Sequence, residues 1–204
     1  SLFMMGDSYI GTVTNGQRSG SDHMYRNTYI VYNKGKVSAI YGANGNKNSS
    51  AAVPPEYPDE KKWYWPGHGF VDGNKLYIFQ TLMYQGSGDM WGFRYETTHI
   101  LEYNLPDLEL VKTTPIPFNG SEDIHYGMAA LKDGEYVYTY AQVDVTNDMN
   151  PISEVLVARS MMDNLYTGWE YYTGSGWSTN ASAAEKLKGL TSVPVSSQFN
   201  VFKL

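Results

Sequence analysis

The chain is predicted to be all-β and built as a β-propeller of four-stranded blades. Three observations point there: an internal repeat, a composition of strand and turn formers, and four strand-like segments per copy. The repeat reads Gly67-His68-Gly69-Phe70-Val71-Asp72-Gly73-Asn74-Lys75-Leu76-Tyr77-Ile78-Phe79. It returns about 60 residues later, from Gly127 through Asp133-Gly134-Glu135-Tyr136-Val137-Tyr138-Thr139-Tyr140. The 204 residues hold 18 Tyr, 5 Trp and 20 Gly with only 18% charged side chains, which favours short strands and turns over a helical bundle. At 42% hydrophobic the chain can bury a substantial core, so a single domain over residues 1–204 is expected.

In the second copy, 65–71 reads as strand A, Asp72-Gly73 as a hairpin turn and 75–81 as strand B. A Gly-rich excursion over 84–92 follows, then strand C at 97–103, a Pro106-Asp107 turn and strand D at 108–114. The third copy repeats the order: A at 124–131, a turn at Asp133-Gly134, B at 136–142 and C at 154–160. A turn or short helical excursion occupies 161–165, and D falls at 169–173. Residues 42–62, rich in Asn, Ser, Gly and Pro, read as a linker-like loop, and 181–190 as a short surface helix.

The two ends align inside the repeat. Leu2-Phe3-Met4-Met5-Gly6-Asp7 matches the strand B of Leu76-Tyr77-Ile78-Phe79-Gln80-Thr81, and residues 196–204 read as a strand A before the next turn. The expected blade parts are therefore 1–42, 63–118, 122–178 and 191–204, about three blade equivalents where closed propellers usually need at least four. The expectation is a truncated propeller, completed by further blades or by a second chain.

With 15 basic against 21 acidic residues the net charge is −6, and no cationic cluster exceeds Lys61-Lys62, so nucleic acid is not an expected partner. The chain has no cysteine, which excludes thiolate metal sites and thiol nucleophiles. No apolar run approaches the roughly 20 residues that span a bilayer, and the opening Ser1-Leu2-Phe3-Met4-Met5-Gly6 lacks the regions of a signal peptide. No Gly-x-Ser-x-Gly elbow or His-Glu-x-x-His helix is present, and Gly86-Ser87-Gly88 lacks the strand-loop-helix setting of a phosphate cradle.

In a propeller, strand A lines the central channel, and the loops entering A and leaving B share one face. That rule gathers Asp7, Gln80, Gln142, His68, His125 and Gln198 around one mouth, walled by the loops at 8–26, 82–96 and 143–153. Trp65, Trp91, Tyr84 and Tyr126 are the candidate sugar-stacking surfaces. Each residue also has a plain structural reading: Asp7 as a turn cap, His68 as a satisfied channel histidine, Glu122 and Asp123 as a solvated loop beside His125, and the aromatics as packing. No metal or other cofactor is called for, although the two histidines could hold a channel cation such as calcium, or a water.

Phe3-Met4-Met5-Gly6-Asp7-Ser8-Tyr9-Ile10-Gly11-Thr12-Val13, Trp65-Pro66-Gly67-His68-Gly69-Phe70-Val71-Asp72-Gly73, Tyr126-Gly127-Met128-Ala129-Ala130-Leu131 and Trp169-Glu170-Tyr171-Tyr172-Thr173-Gly174-Ser175-Gly176-Trp177 carry a resemblance. They resemble a bacterial family of five-bladed propellers without an assigned activity, found in gut Bacteroidetes and distantly similar to the arabinanase and levansucrase superfamily of glycoside hydrolases. The resemblance implies a carbohydrate partner and an extracellular or periplasmic location. It also implies an Asp base or nucleophile on one blade, a pKa-tuning Asp on the next and a Glu acid on a third. By motif, Asp7 matches the first carboxylate. The second position holds His68, and the third holds Gln198, whose amide cannot donate a proton as a carboxylic acid does. Glu122, Asp123 or blades outside the chain would then supply the acid, and a glycan-binding or structural propeller without catalysis is the alternative.

Overall fold

Glycine-led hairpins set the order of the strands. The structure, a computed structural model, describes residues 1–20, 23–57, 61–89, 91–121, 123–144, 153–190 and 195–204. Just over half of them lie in strands of antiparallel β-sheet, and helix is confined to three single 3-10 turns. β1 (Leu2–Tyr9) pairs with β4 (Met24–Asn33), which pairs with β5 (Lys36–Ile40); the short hairpin of β2 (Val13–Thr14) and β3 (Gln17–Arg18) lies between β1 and β4 in the chain. A second sheet has the order β6 (Lys62–Asp72), β7 (Lys75–Gln85), β8 (Phe93–Asn104) and β9 (Glu109–Pro115). A third runs β10 (Ile124–Asp133), β11 (Tyr136–Asp144), β12 (Ser153–Met161), β13 (Glu170–Tyr172) and β14 (Trp177–Ser178).

The repeat is thus a repeat of sheets whose strands follow one another in chain order. Its hairpins differ from expectation by one residue. β6 ends at Asp72 and β10 at Asp133, so the turn pairs are Gly73-Asn74 and Gly134-Glu135. Gly73 (φ 57) and Gly134 (φ 61) take the first central position with positive φ, as the II′ hairpin requires. β7 also runs past Thr81 to Gln85, and β8 starts at Phe93, so the expected long loop at 82–96 is a tight excursion.

Two compact units result, Ser1–Pro66 with Leu82–Phe93, and Gly67–Thr81 with Arg94–Leu204. In the first, the buried Asn27 clasps three backbone groups. Its amide donates to the carbonyls of Ala52 (2.9 Å) and Tyr64 (3.0 Å), and its Oδ1 accepts from the Ala52 N–H (2.8 Å). Ser50 Oγ accepts from the Arg26 and Asn27 N–H groups. Residues 49–52 of the expected linker at 42–62 are therefore seated on β4, with Ser49, Ser50 and Ala52 buried, while 58–60 lie outside the described residues.

The second unit holds an aromatic core. Phe79, Ile100, Tyr126, Val137, Ala141, Ala158 and Leu165 are all 0% exposed. Burial of each large side chain contributes about 1.5–3 kcal/mol. Trp169 packs edge-on to Tyr126 and donates its indole N–H to Leu165 O, in keeping with a packing role. Backbones also come into close approach here. A Cβ on Gly67 would collide with the Gly127 carbonyl, and a Cβ on Gly127 (φ 96) would lie 2.6 Å from the Phe79 Cβ. The β10–β11 register slips between Tyr126 and Ala129, so Gly127 sits in a bulge.

Two expectations at the C-terminal end are corrected. The surface helix at 181–190 is one 3-10 turn, Ala181–Ala183, capped by Asn180 accepting from the Ser182 N–H. Residues 196–204 form no strand. Local side chains occupy backbone donors that a ladder would use, Ser196 Oγ taking the Gln198 N–H and Asn200 Oδ1 the Val201 N–H.

Candidate functional site

Asp7 is the best-organised polar group of the first unit. On β1 it shares a face with Phe3, Met5 and Tyr9, because strand side chains alternate. Gly6 pairs with Asn27 and Ser8 with Tyr25, which sets Arg26 across from Asp7. Trp65 donates its indole N–H to Asp7 Oδ1 at 2.9 Å, and Arg26 Nη1 lies 3.7 Å from the same oxygen. Among the described residues both contacts fall on Oδ1, and the side chain is 46% exposed, so Oδ2 is open to a hydroxyl or water. The Arg26 guanidinium also covers the Trp63 ring at 4.3 Å, which limits its swing.

An aromatic strip leads away from that carboxylate. Trp65 meets Phe93 edge-on with ring centres 4.9 Å apart, and Phe93 meets Trp91 at 6.4 Å. Trp91 is 74% exposed. Tyr84 is half-buried near the end of β7.

The second unit gathers other candidates at the start of β10. His125 stacks on Tyr95 with ring centres 4.1 Å apart and planes 30° from parallel. The Tyr95 hydroxyl bonds to Thr98 Oγ1, which donates to Tyr126 O. Burial pushes the Tyr95 phenol up to about 12, against the lowering effect of Thr98, so it stays protonated. A pocket of about 240 Å³ lies between residues 95–97 and 118–121. At its edge Asp123 Oδ2 accepts from Ser121 Oγ, which in turn accepts from the Asp123 N–H. Glu122 lies outside the described residues.

His68 also belongs to the second unit. Its Nδ1 accepts from the Ala130 N–H at 3.3 Å, just beyond the β10 bulge. Burial lowers its pKa below the ordinary imidazole value, while the Ala130 backbone and the Asn200 side chain oppose the shift.

A family model described as a domain of unknown function (DUF5005) matches residues 1–204. The chain belongs to this family. No curated protein matches it. Among solved structures, a Bacteroides ovatus ATCC 8483 protein named as a "putative hydrolase" aligns with a TM-score of 0.65 at 16% identity, over 88% of this chain. At that identity the likeness is one of fold. The DUF5005 chain spans 50% of the length of that protein.

Within each unit, then, the DUF5005 structure joins Asp7 to Trp65 and Trp91, and Asp123 to the strand that carries His125. It corrects two assignments. Tyr126 is fully buried against Phe118, Trp169 and Tyr171 and cannot offer a ring to a ligand. Gln198 is exposed on an irregular segment rather than on a channel-lining strand. Gln80 and Gln142 are buried, Gln142 donating to Ser153 Oγ at 3.2 Å. Among the described residues, no group of three His, Asp or Glu side chains gathers as metal ligands, and no helix is long and apolar enough to cross a membrane. Arg26, Phe93 and Tyr95 escape sequence reading because only the β1–β4 register and ring packing bring them to the candidates.

Proposed function

We propose that this chain is part of a carbohydrate-active β-propeller, five-bladed when complete, that hydrolyses a glycan outside the cytoplasm. One observation carries the reading: the half-exposed Asp7 carboxylate is oriented by the Trp65 indole at the head of an aromatic strip. Sheets of successive antiparallel strands support the propeller form, and the name of the Bacteroides ovatus protein supports the reaction class. Asp7 acts as base or nucleophile. Glycoside hydrolysis needs a second carboxyl to protonate the leaving group, a role assigned to Asp123 or Glu122, with His125 two or three residues on as a further catalytic candidate. Trp65 and Tyr84 hold sugar rings, and the chemistry requires no cofactor. Product release from a panel of plant and host polysaccharides tests the reading: Asp7→Asn abolishes turnover while the fold persists, and unchanged turnover refutes the assignment.

A glycan-binding role without catalysis is the second reading. It is favoured by the Asp123 carboxylate being held in an exposed Ser121 turn, as a merely structural loop would hold it. It predicts binding to the same panel with no product.

A further inference from the structure

The loop after β7 presents one of the most exposed large apolar side chains of the chain and yet is closely knit. Gln85 Nε2 donates to the carbonyls of Ser87 (2.6 Å) and Asp89 (2.7 Å). Asp89 accepts from Ser87 Oγ through Oδ2 (2.7 Å) and from the Trp91 N–H through Oδ1 (2.8 Å). The Gly86 and Ser87 N–H groups both reach Gly92 O. A Cβ on Gly92 would collide with Ser87 Oγ, so the closure needs glycine. These bonds hold the Trp91 ring in water, 74% exposed, when a loose loop could fold it down.

From Trp91 the strip is continuous with the candidate centre, through Phe93 to Trp65 and its bond to Asp7. Ring-centre steps of 6.4 and 4.9 Å are each of the order of one sugar ring. Successive planes turn by 56° and 80°, a surface that follows a twisted chain of separate rings and not a flat fused ligand. Carboxylates at both ends, Asp7 and Asp89, are acceptors suited to hydroxyl groups.

We infer that Trp91 is a distal, preorganised subsite that makes this chain a binder of linear oligosaccharides, with affinity that rises as the sugar reaches from Asp7 to Trp91. The inference rests on the glycan reading above. Because the bonds among residues 85–89, 91 and 92 are in place before a ligand arrives, the outer sugar is gained at a smaller entropic cost of fixing a platform.

The test is titration of the 204-residue chain with linear arabino-, xylo- and cello-oligosaccharides, from monosaccharide to hexasaccharide, by calorimetry. Affinity for one series climbs with length. Trp91→Ala weakens the hexasaccharide about tenfold and the disaccharide less than twofold. Gln85→Ala, which keeps the indole and frees the loop, lowers the same length dependence, with melting temperature confirming the fold of both variants. Length-independent binding, or a hexasaccharide affinity indifferent to Trp91, overturns the subsite and leaves the glycan reading standing. No binding by any sugar overturns both, and so does capture of oligoproline in their place.

Discussion

Trp65 donates its indole N–H to the Asp7 carboxylate across 58 residues of sequence, at 2.9 Å. The bond fixes one carboxylate oxygen and leaves the other to a ligand. Trp65→Phe keeps an aromatic ring and removes the donor. Turnover on the best glycan substrate should fall about tenfold to a hundredfold, from loss of orientation of the carboxylate proposed as base or nucleophile, while KM changes little. Steady-state kinetics of the variant check it; a loss confined to KM would assign Trp65 to binding alone.

The close approach of Gly67 and Gly127 makes both glycines steric requirements. Gly67→Ala should destabilise the chain by about 3 kcal/mol, because the colliding atom is backbone and cannot rotate away. Gly73→Ala, where nothing lies within 4 Å of the added Cβ and only the positive φ opposes it, should cost about 1 kcal/mol. Urea unfolding of the pair gives the comparison, and equal costs would contradict the collision.

Asn27→Leu leaves the Ala52 N–H and two carbonyls without their buried partner. The expected loss is about 3 kcal/mol, with amide exchange at Ala52 accelerated by the same opening. An Asn27→Leu variant as stable as the parent would mean that water replaces the clasp.

Stability should fall with acid in two windows. The pKa of His68 is lower in the folded chain than its ordinary 6.5, so the unfolded chain takes up the proton first. Stability is lost as pH drops from about 6.5 through the lowered folded value, and His68→Gln flattens that slope.

Glu102 titrates further down. Burial raises its pKa, but hydrogen bonds from Lys75 and Tyr166 at 2.7 Å, with the Lys75 and Lys112 charges, outweigh burial and hold it below the ordinary 4.5. Its contribution is present above that value and is lost as pH falls through the folded one. Glu102→Gln should cost about 2 kcal/mol at neutral pH. Thermal melts across pH resolve the two windows, and a His68→Gln profile identical to the parent's would remove the first.

Sequence alone determined the all-β class, the strand order of the second sheet and of the first four strands of the third, and the presence of two glycine-led hairpins, whose turns it set one residue too early. These follow from alternation, turn chemistry and repetition, which are local. It gathered Asp7, Trp65 and Trp91 around one expected mouth without saying which of them touch. Only the tertiary structure decided that the three lie along one strip with Phe93, that Arg26 stands across from Asp7, and that Tyr126 is core. The reason is physical: register and ring packing depend on which strands pair, and residue spacing along the chain carries no record of a bond that spans 58 positions. The same holds for residues 196–204, whose alternation reads as a strand while their Ser196 and Asn200 side chains bind backbone donors that a ladder would need.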